Sequence, residues 1–356
     1  MLEARKAVRS LKEYHPPLGG RVGLRLDFNE NTVGCSPRVL ERLRQLQFDQ
    51  LARYPERESI ERQIAAHLGD VAGLLLTNGV DEAIHLVCET YLEPADEVLI
   101  VVPTFSMYEI YAAATGAQVI TIPAGPDFGY PTEDVLARIS PRTRLIAIAN
   151  PNNPTGAVVA KSDLLRILRA APDAAVLVDE AYFDFYGESL LAEVANHPNL
   201  FVARTFSKAY GLAGLRIGVL VGSAAQMAMV RRVGSPYNVN AVALACLPEA
   251  LADQDYVRQY VAQVRQGREQ LEQELRSLKL RFWPSHANFV LVRIGERHDA
   301  FVQAMRERGI LLRDRSRDPG CEGCVRISVG LGGQTEQLIV ALREAICEIA
   351  PLWVRL

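Results

Sequence analysis

The segment RLIAIANPNNPTGAVVAKSDLLRILRAAPDAAVLVDE, residues 144–180, contains two short apolar runs with a stretch of helical length between them. The runs 144–150 and 175–180 are bounded by turn residues, a pattern typical of strands that are buried on both faces. The stretch 164–170 follows Ser162-Asp163, residue types that favour a helix start. The segment therefore predicts a strand, a covering helix and a second strand of a parallel sheet.

The same alternation extends outward in both directions, from about residue 74 to residue 222. Five further apolar runs belong to it: LLLT (74–77), VLIVV (98–102), QVITI (118–122), LFVART (200–205) and IGVLVG (217–222). Amphipathic stretches of helical length separate them. We therefore expect an α/β fold with a large, mostly parallel seven-stranded sheet covered by helices.

The last third of the chain has a different pattern. Long helical periodicity after Asn238 is followed by four short apolar runs, LRFWP, NFVLVRI, GILLRD and CVRISVG, with helix patterns near 297–308 and 335–349. This order predicts a small α+β domain. The expected organisation is an N-terminal segment of the small domain (1–45), a large domain (46–265) and the remainder of the small domain (266–356).

Composition and charge exclude several classes of protein. The 356 residues are 49% hydrophobic and 23% charged, with a net charge of −3 and no long run of one sign. A nucleic-acid partner is therefore not expected. The sequence contains no apolar run long enough to span a membrane and no signal-peptide pattern, so we expect a cytoplasmic protein without a membrane partner.

The six cysteines are scattered along the chain and do not suggest a disulfide framework. Cys321 and Cys324 have the C-x-x-C spacing that can indicate zinc or redox chemistry. A zinc site needs a second pair of ligands, and none is evident nearby. We therefore interpret both as structural cysteines and predict no metal.

Lys208 lies just after the predicted strand 200–205, with Ser207 before it and Arg216 eight residues later. A lysine at such a position is either exposed on a loop, the commoner case, or buried. Burial lowers the pKa of a lysine and makes its amine nucleophilic. Lys208 alone does not decide between these interpretations.

Three other strand ends carry polar residues. The run NPNNPTG (150–156) presents an asparagine in a rigid turn, and Asp179 is followed three residues later by Tyr182. Asp179 on its own is equally compatible with a helix N-cap. Residues 78–82 open a helix after a glycine turn, which is a weak indication of an anion site. Since the carboxyl ends of parallel strands meet at one edge of a sheet, these groups are expected to converge.

Taken together, these groups match the needs of pyridoxal phosphate. That cofactor requires an amine for a Schiff base, a carboxylate at its ring nitrogen, donors for its phenolic oxygen and a cationic phosphate site. The combined pattern is much more specific than any one of its parts.

With these residues in place, the sequence resembles the fold-type I pyridoxal-phosphate aminotransferases, and among them the histidinol-phosphate aminotransferase family. The likeness covers nearly the whole chain and lies in these motifs: LDFNEN (26–31), RYPE (53–56), NGVDEAI (78–84), PTFSMY (103–108), NPNNPTG (150–156), VDEAYFDF (178–185), TFSKAYGLAGLRIG (205–218), LLRD (311–314) and VRISVG (325–330).

The resemblance implies a role for each catalytic residue. Lys208 is expected to form the Schiff base, Asp179 to pair with the ring nitrogen, and Tyr182 and Asn153 to contact the phenolic oxygen. The rest of the implied cofactor-binding set consists of Val80, Asp81, Glu82, Thr205, Ser207 and Arg216 at the phosphate, and Phe105, or else Tyr108, stacked on the ring. Tyr54 is expected to reach the phosphate of a second subunit, which implies a homodimer.

The implied activity is ping-pong transamination between L-histidinol phosphate and 2-oxoglutarate. Arg313 and Arg326, thirteen positions apart, are expected to hold the substrate's anionic groups, with Arg315 and Arg317 as alternatives to Arg313. The remaining implied substrate-binding residues are Tyr14, Asn29 and Asn153. Related enzymes act on aromatic amino acids or decarboxylate threonine phosphate, and the unusual Val33-Gly34-Cys35 loop leaves these alternatives open.

Overall fold

The computed structural model describes residues 2–16, 19–20 and 22–349. The strands in this part of the chain are β1 (Leu24–Arg25), β2 (Leu74–Thr77), β3 (Glu97–Val102), β4 (Gln118–Pro123), β5 (Thr143–Ala149), β6 (Ala175–Asp179), β7 (Leu200–Thr205), β8 (Gly218–Val221), β9 (Arg281–Trp283), β10 (Phe289–Arg293), β11 (Ile310–Leu311), β12 (Arg313–Asp314) and β13 (Cys324–Ser328). The α-helices are α1 (Lys6–Arg9), α2 (Pro37–Arg44), α3 (Phe48–Ala52), α4 (Glu58–His67), α5 (Gly79–Tyr91), α6 (Met107–Thr115), α7 (Thr132–Arg138), α8 (Lys161–Ala170), α9 (Phe183–Tyr186), α10 (Ala224–Val233), α11 (Ala241–Ala252), α12 (Gln254–Ser277), α13 (His298–Glu307) and α14 (Gly333–Ile349).

The large sheet has seven strands in the order β2-β8-β7-β6-β5-β3-β4. Strand β8 runs antiparallel to both of its neighbours, and the other pairs are parallel. Each of the seven apolar runs predicted from the sequence forms one of these strands, which confirms the predicted α/β class. Six carboxyl ends therefore meet at one edge of the sheet, where ligands bind in open α/β folds.

Burial explains why these runs form central strands. In β6 every residue is buried, and successive side chains point to opposite faces. Val176 and Val178 belong to the hydrophobic core on one face, whereas Leu177 belongs to the core on the other. Burying one such side chain contributes about 1.5–3 kcal/mol, so an apolar run covered on both faces is stable only inside the sheet.

The small sheet is antiparallel, with strand order β12-β13-β10-β9. The run GILLRD was predicted as one strand but forms two, because the chain leaves one sheet at Leu312 and enters another. Strand β11 pairs in parallel with β1, and β12 pairs with β13 so that Arg313 lies opposite Arg326. This register brings together two arginines that are thirteen positions apart in the sequence.

Helix α12 connects the two sheets. It runs without a break across the predicted domain boundary at 265/266. From this helix Arg265 donates to the carbonyl oxygen of Phe185 and Arg268 donates to that of Ala287. Helix α2, which the predicted division places in the N-terminal segment of the small domain, packs on α11. Among the described residues no helix is both long and apolar enough to cross a membrane.

Candidate active site

A cavity of about 360 Å³ lies at the carboxyl edge of the large sheet, between that edge and the small sheet. Of the site residues predicted from the sequence, including the alternatives to Arg313, all but Tyr54, Glu82 and Arg317 line it. The predicted convergence of strand ends on one site is therefore observed.

Asp179 is the last residue of β6 and is only 5% exposed. Its Oδ2 accepts a hydrogen bond of 2.6 Å from the Tyr108 hydroxyl, and its Oδ1 accepts one of 2.9 Å from the Ala181 amide. Burial raises the pKa of Asp179 to about 6. The N-cap alternative does not apply, since the next helix begins only at Phe183. The carboxylate is thus held in a buried position beside the cavity.

Lys208 follows β7 and projects into the same cavity. Its Nζ donates to the carbonyl oxygen of Phe28 over 3.1 Å and lies 5.9 Å from the centre of the Tyr182 ring. Burial, followed by the positive charge of Arg326, lowers the pKa of Lys208 to about 8. A neutral, nucleophilic amine is therefore accessible near neutral pH.

A set of donors suited to an anion surrounds the start of α5. Helix α5 begins at Gly79, so the amides of Val80 and Asp81 lie in its first turn and have no partners within the helix. Arg216 Nη2 donates to Asp81 Oδ2 over 2.9 Å, and a Cβ on Gly79 would lie 2.7 Å from that nitrogen. The glycine thus makes room for the guanidinium at the helix start.

Ser207 and Thr205 complete this end of the cavity, and both are buried. The Ser207 amide donates to Thr205 Oγ1 over 3.1 Å, which fixes the turn that leads into Lys208. Backbone amides, hydroxyls and a guanidinium at a helix N-terminus are the usual ligands of a phosphate.

Glu82 differs from its predicted role in cofactor binding. Its Oε2 accepts hydrogen bonds of 2.6 Å from the Asn78 amide and of 2.6 Å from Asn238 Nδ2. The side chain therefore satisfies the backbone at the start of its own helix rather than lining the cavity. Its sequence position beside Asp81 gave no indication of this difference.

Tyr182 and Asn153 face the centre of the cavity. The Tyr182 hydroxyl oxygen accepts a hydrogen bond of 2.9 Å from Asn29 Nδ2. Asn153 Oδ1 accepts one of 2.5 Å from Arg326 Nη1, which leaves the Asn153 amide group as a donor toward the cavity. Both residues line the cavity, and their contact with one ligand oxygen remains a prediction.

The two aromatic residues of PTFSMY both line the cavity. The rings of Phe105 and Tyr108 meet edge to face, 5.8 Å apart. Tyr108 is 1% exposed, and its hydroxyl donates a hydrogen bond to Asp179. The side chain of Phe105 is apolar and has no such partner. Stacking of Phe105 on a bound ring remains a prediction.

The arginines occupy the other end of the cavity. Arg313 Nη2 donates to the Tyr14 hydroxyl over 3.1 Å, and its guanidinium lies 5.3 Å from the centre of the Phe28 ring. Arg315 also lines the cavity and forms an ion pair with Asp318. Arg317 is exposed and does not line the cavity, so of the two alternatives to Arg313 only Arg315 is placed to contact a ligand.

Arg326 is 5% exposed, and its guanidinium also donates to the carbonyl oxygen of Asp27 over 2.6 Å. Its Nε is buried and has no hydrogen-bond partner among the described residues. Burial, followed by the positive charges of Arg315 and Arg313, lowers the pKa of Arg326 to about 10. A buried guanidinium beside a cavity is suited to an anionic ligand.

Asn29 lines the cavity but differs from its predicted contact with substrate. Its Nδ2 donates to Tyr182 and its Oδ1 accepts from the Ser328 hydroxyl over 3.0 Å, so both polar groups of the side chain are occupied within the chain. Ser328 was not among the residues predicted from the sequence. It lies two residues after Arg326 on the same strand and therefore on the same face, and that spacing was the available signal.

Tyr54 is 77% exposed and packs its ring 4.3 Å from that of Tyr237, which is 61% exposed. It does not line the cavity of its own chain. Its position is compatible with the predicted contact to a second subunit, and that contact remains a prediction.

Cys321 and Cys324 are buried with Trp283 and Leu291 in a small hydrophobic cluster. Their thiols interact, which lowers the pKa of Cys324 and raises that of Cys321. Among the described residues, the side chains close enough to share a metal ion are His298, Asp299 and Asp314, and neither cysteine is among them. The packing supports a structural role for both cysteines.

The residues present fit pyridoxal phosphate. The start of α5, with Arg216 and Ser207, could bind the phosphate group of the cofactor. Asp179 could pair with the protonated ring nitrogen, and the amine of Lys208 could react with the aldehyde carbon. The space that Gly79 leaves for Arg216 is the local feature most specific to a bound anion.

Comparison with known proteins agrees with this geometry. Residues 21–344 match the family model described as aminotransferase class I and II. The chain is 34% identical to a histidinol-phosphate aminotransferase of Moorella thermoacetica, over 97% of this chain and 93% of the relative. It is 36% identical to histidinol-phosphate aminotransferase 2 of Pseudomonas aeruginosa, over 91% and 89% of the two chains. The crystal structure of a histidinol-phosphate aminotransferase from Sinorhizobium meliloti in complex with pyridoxal-5'-phosphate superimposes with a TM-score of 0.89, at 25% identity, over 98% of this chain and 99% of the other.

Proposed function

Since the chain belongs to the class I and II aminotransferases, we propose that it uses pyridoxal phosphate to transfer an amino group from L-histidinol phosphate to 2-oxoglutarate. The cofactor and the transfer chemistry are supported by the family and by the fit of the cavity. The assignment of L-histidinol phosphate as the amino donor is supported by the names of the relatives and by the arginines that line the cavity.

One observation carries the proposal. A lysine whose pKa is lowered and three guanidinium groups, those of Arg313, Arg315 and Arg326, line the same cavity. The three positive charges repel one another, and the lowered pKa of Arg326 reflects that repulsion together with burial. A phosphate dianion between them would offset it through charge-assisted hydrogen bonds.

Pyridoxal phosphate, when bound, supplies a conjugated ring that accepts the electrons released when the substrate Cα–H bond breaks. Asp179 would hold a proton at the ring nitrogen, and Tyr108 keeps the carboxylate in place through its hydrogen bond. Lys208 would provide the amine that anchors the cofactor, and its Nζ would be the group that moves the substrate Cα proton. Arg326 and Arg313 bind the anionic groups of the donor and then of the acceptor, so the two substrates use one site in turn.

A panel of single-substrate reactions tests the proposed donor. Histidinol phosphate, histidinol, phenylalanine and phosphothreonine are each added to the holoenzyme, and formation of the pyridoxamine form is followed by absorbance. We expect histidinol phosphate to react fastest and histidinol to react about 10–100-fold more slowly, because it lacks the charge-assisted phosphate contacts. Faster conversion by phenylalanine would indicate an aromatic aminotransferase, and carbon dioxide release from phosphothreonine would indicate a decarboxylase.

We also propose that the enzyme is a homodimer in which Tyr54 reaches the phosphate site of the partner subunit. The exposed ring of Tyr54, which its own cavity does not use, supports this arrangement, as do the neighbouring exposed side chains of Phe48 and Leu51. Mixing Lys208→Ala subunits with Tyr54→Ala subunits tests it, since a mixed dimer would contain one intact site. Activity above the sum of the two parents is expected, and simple additivity contradicts a shared site.

The cytoplasm is the compartment we propose. All six cysteines are free thiols, including the neighbouring pair Cys321 and Cys324. Proteins of a reducing compartment usually lack disulfides, even where two cysteines lie close together. Thiol titration of the protein taken directly from cells checks this, with six reactive thiols expected after unfolding.

A further inference from the structure

Three consecutive residues of the N-terminal segment contact three different side chains of the cavity. The carbonyl oxygen of Asp27 accepts from Arg326, and that of Phe28 accepts from Lys208. The next residue, Asn29, donates from its side chain to Tyr182. The first two contacts use backbone atoms and do not depend on residue type, whereas the third requires the amide side chain of Asn29.

Ser328 determines which way the Asn29 amide points. Ser328 Oγ accepts a hydrogen bond of 2.9 Å from the Asn29 backbone amide, so its own proton is available to donate. The Ser328 hydroxyl donates this proton to Asn29 Oδ1, and the two oxygen atoms are 3.0 Å apart. With Oδ1 placed at Ser328, Nδ2 must face the Tyr182 oxygen, and the amide orientation follows from the network.

The backbone holds Asn29 in this position. The residue is 1% exposed and has a φ of 54°, a left-handed conformation that asparagine tolerates better than most residues. Its carbonyl oxygen accepts a hydrogen bond of 3.1 Å from Asn288 Nδ2. The backbone amide, the backbone carbonyl and both side-chain groups of Asn29 are therefore all engaged, and the side chain is fixed.

We propose that Asn29 is a positioning residue that directs the hydroxyl proton of Tyr182 into the cavity, toward the phenolic oxygen of the cofactor. Asn29 donates to the Tyr182 oxygen, and the structure offers the Tyr182 proton no acceptor among the described residues. The cavity is the remaining direction. The assignment rests on the proposed function, since it requires a ligand oxygen at that point.

The direction of this proton has a measurable consequence. A hydrogen bond donated to the phenolic oxygen withdraws negative charge that would otherwise stabilise a protonated Schiff-base nitrogen at Lys208. The Schiff base therefore loses its proton at a lower pH when Tyr182 donates. The pH at which the visible absorption band of the bound cofactor changes reports this value directly, without any turnover.

The decisive variant is Asn29→Asp, because a carboxylate of the same shape accepts hydrogen bonds but does not donate them. The Tyr182 proton would then turn away from the cavity toward residue 29. We expect the midpoint of the absorbance titration to rise by about one pH unit, as it should in Tyr182→Phe, because one hydrogen bond is lost in each case. Asn29→Ala removes the donor without adding charge, and we expect a smaller rise in the same direction.

The double variant Asn29→Asp/Tyr182→Phe separates this mechanism from a plain charge effect. If Asn29 acts through Tyr182, the double variant has the midpoint of Tyr182→Phe alone. The proposal is overturned if Asn29→Asp raises the titration midpoint as much in the Tyr182→Phe protein as it does in the wild type. It is also overturned if Asn29→Asp alone leaves the midpoint unchanged. Should Asn29→Asp not fold, as judged by its circular dichroism, the midpoint of Asn29→Ala decides in its place. A wild type with no pH-dependent visible band contradicts the proposed function itself, which distinguishes that failure from failure of this assignment.

Discussion

The two ends of the cavity are built in different ways. At the cofactor end, Asp179 ends the central strand β6, Ser207 follows the central strand β7, and the two residues are 5% and 6% exposed. At the substrate end, Arg313 lies in a two-residue strand and contacts Tyr14, which is 43% exposed and 299 residues away. Chemistry that must be the same for every substrate is thus placed on the rigid sheet, and recognition is placed on short strands and loops.

The largest effect is expected at the cofactor end, from Lys208→Ala. Removing the amine should lower transamination by about 10⁴-fold or more, because the Schiff base and the proton transfer are lost together. Thermal unfolding should be nearly unchanged, since Lys208 has a single hydrogen bond to a backbone carbonyl. If the Lys208→Ala protein kept a turnover within tenfold of wild type, the cofactor end of the cavity would not carry the chemistry.

Asp179→Asn tests the buried carboxylate through both activity and stability. We expect turnover to fall by about 10²–10³-fold, since the ring nitrogen would lose its charged partner. In the cofactor-free protein, burial raises the pKa of Asp179 from 3.8 to about 6. The folded state therefore favours the protonated acid, so the stability due to this group is complete below pH 4 and is lost as the pH rises through 6.

The Asn side chain cannot ionise and should avoid that loss, so Asp179→Asn should be more stable than wild type above pH 6, by up to about 3 kcal/mol. Unfolding midpoints of the cofactor-free proteins between pH 4 and 7 measure this. Asp184→Asn is a matched control, because burial also raises the pKa of Asp184 to about 6 but Asp184 does not line the cavity. It should share the stability gain and keep wild-type turnover. An Asp179→Asn protein that is less stable above pH 6 would contradict the effect of burial.

At the substrate end, Arg313→Ala should weaken use of the phosphorylated donor. We expect kcat/KM for histidinol phosphate to fall by about 10–100-fold, the usual cost of a charge-assisted contact, and that for 2-oxoglutarate to fall less. Arg317→Ala is the control, since Arg317 lies shortly after β12 but is exposed outside the cavity. Equal losses for both substrates would mean that Arg313 does not recognise the phosphate.

The smallest effect is expected from Tyr14→Phe. The change removes the oxygen that accepts a hydrogen bond from Arg313 and keeps the ring. Because this contact is partly exposed, its loss should cost less than about 1 kcal/mol, or up to fivefold in KM for histidinol phosphate. A loss as large as that of Arg313→Ala would show that the tyrosine, and not the arginine alone, defines the substrate end.

The same contrast explains what could be predicted from the sequence. The apolar runs that form β5, β6 and β7 are continuous in the chain, so their ends, and with them Asp179 and Lys208, could be located by pattern. The pairing of Arg313 with Arg326 depends on the register of β12 and β13, and the contact of Tyr14 with Arg313 joins distant parts of the chain. Only the family resemblance indicated those roles.

Two differences between prediction and structure have the same physical origin. Glu82 and Asn29 were assigned to ligands by the family resemblance, but each side chain satisfies polar groups of the protein that come from elsewhere in the chain. Asn238 and Ser328 lie 156 and 299 residues from these side chains. Local patterns do not contain such partners, because the requirement to satisfy buried polar groups is met only in three dimensions.

Chemical trapping of the lysine tests the central claim most directly. The purified holoenzyme is reduced with borohydride, digested, and its peptides are examined by mass spectrometry and by the absorbance of reduced cofactor. We expect one labelled peptide, containing Lys208, and no label when the amino donor has first converted the cofactor to its amine form. A cofactor attached to another lysine, or a protein that takes up no label under any condition, would contradict the assignment.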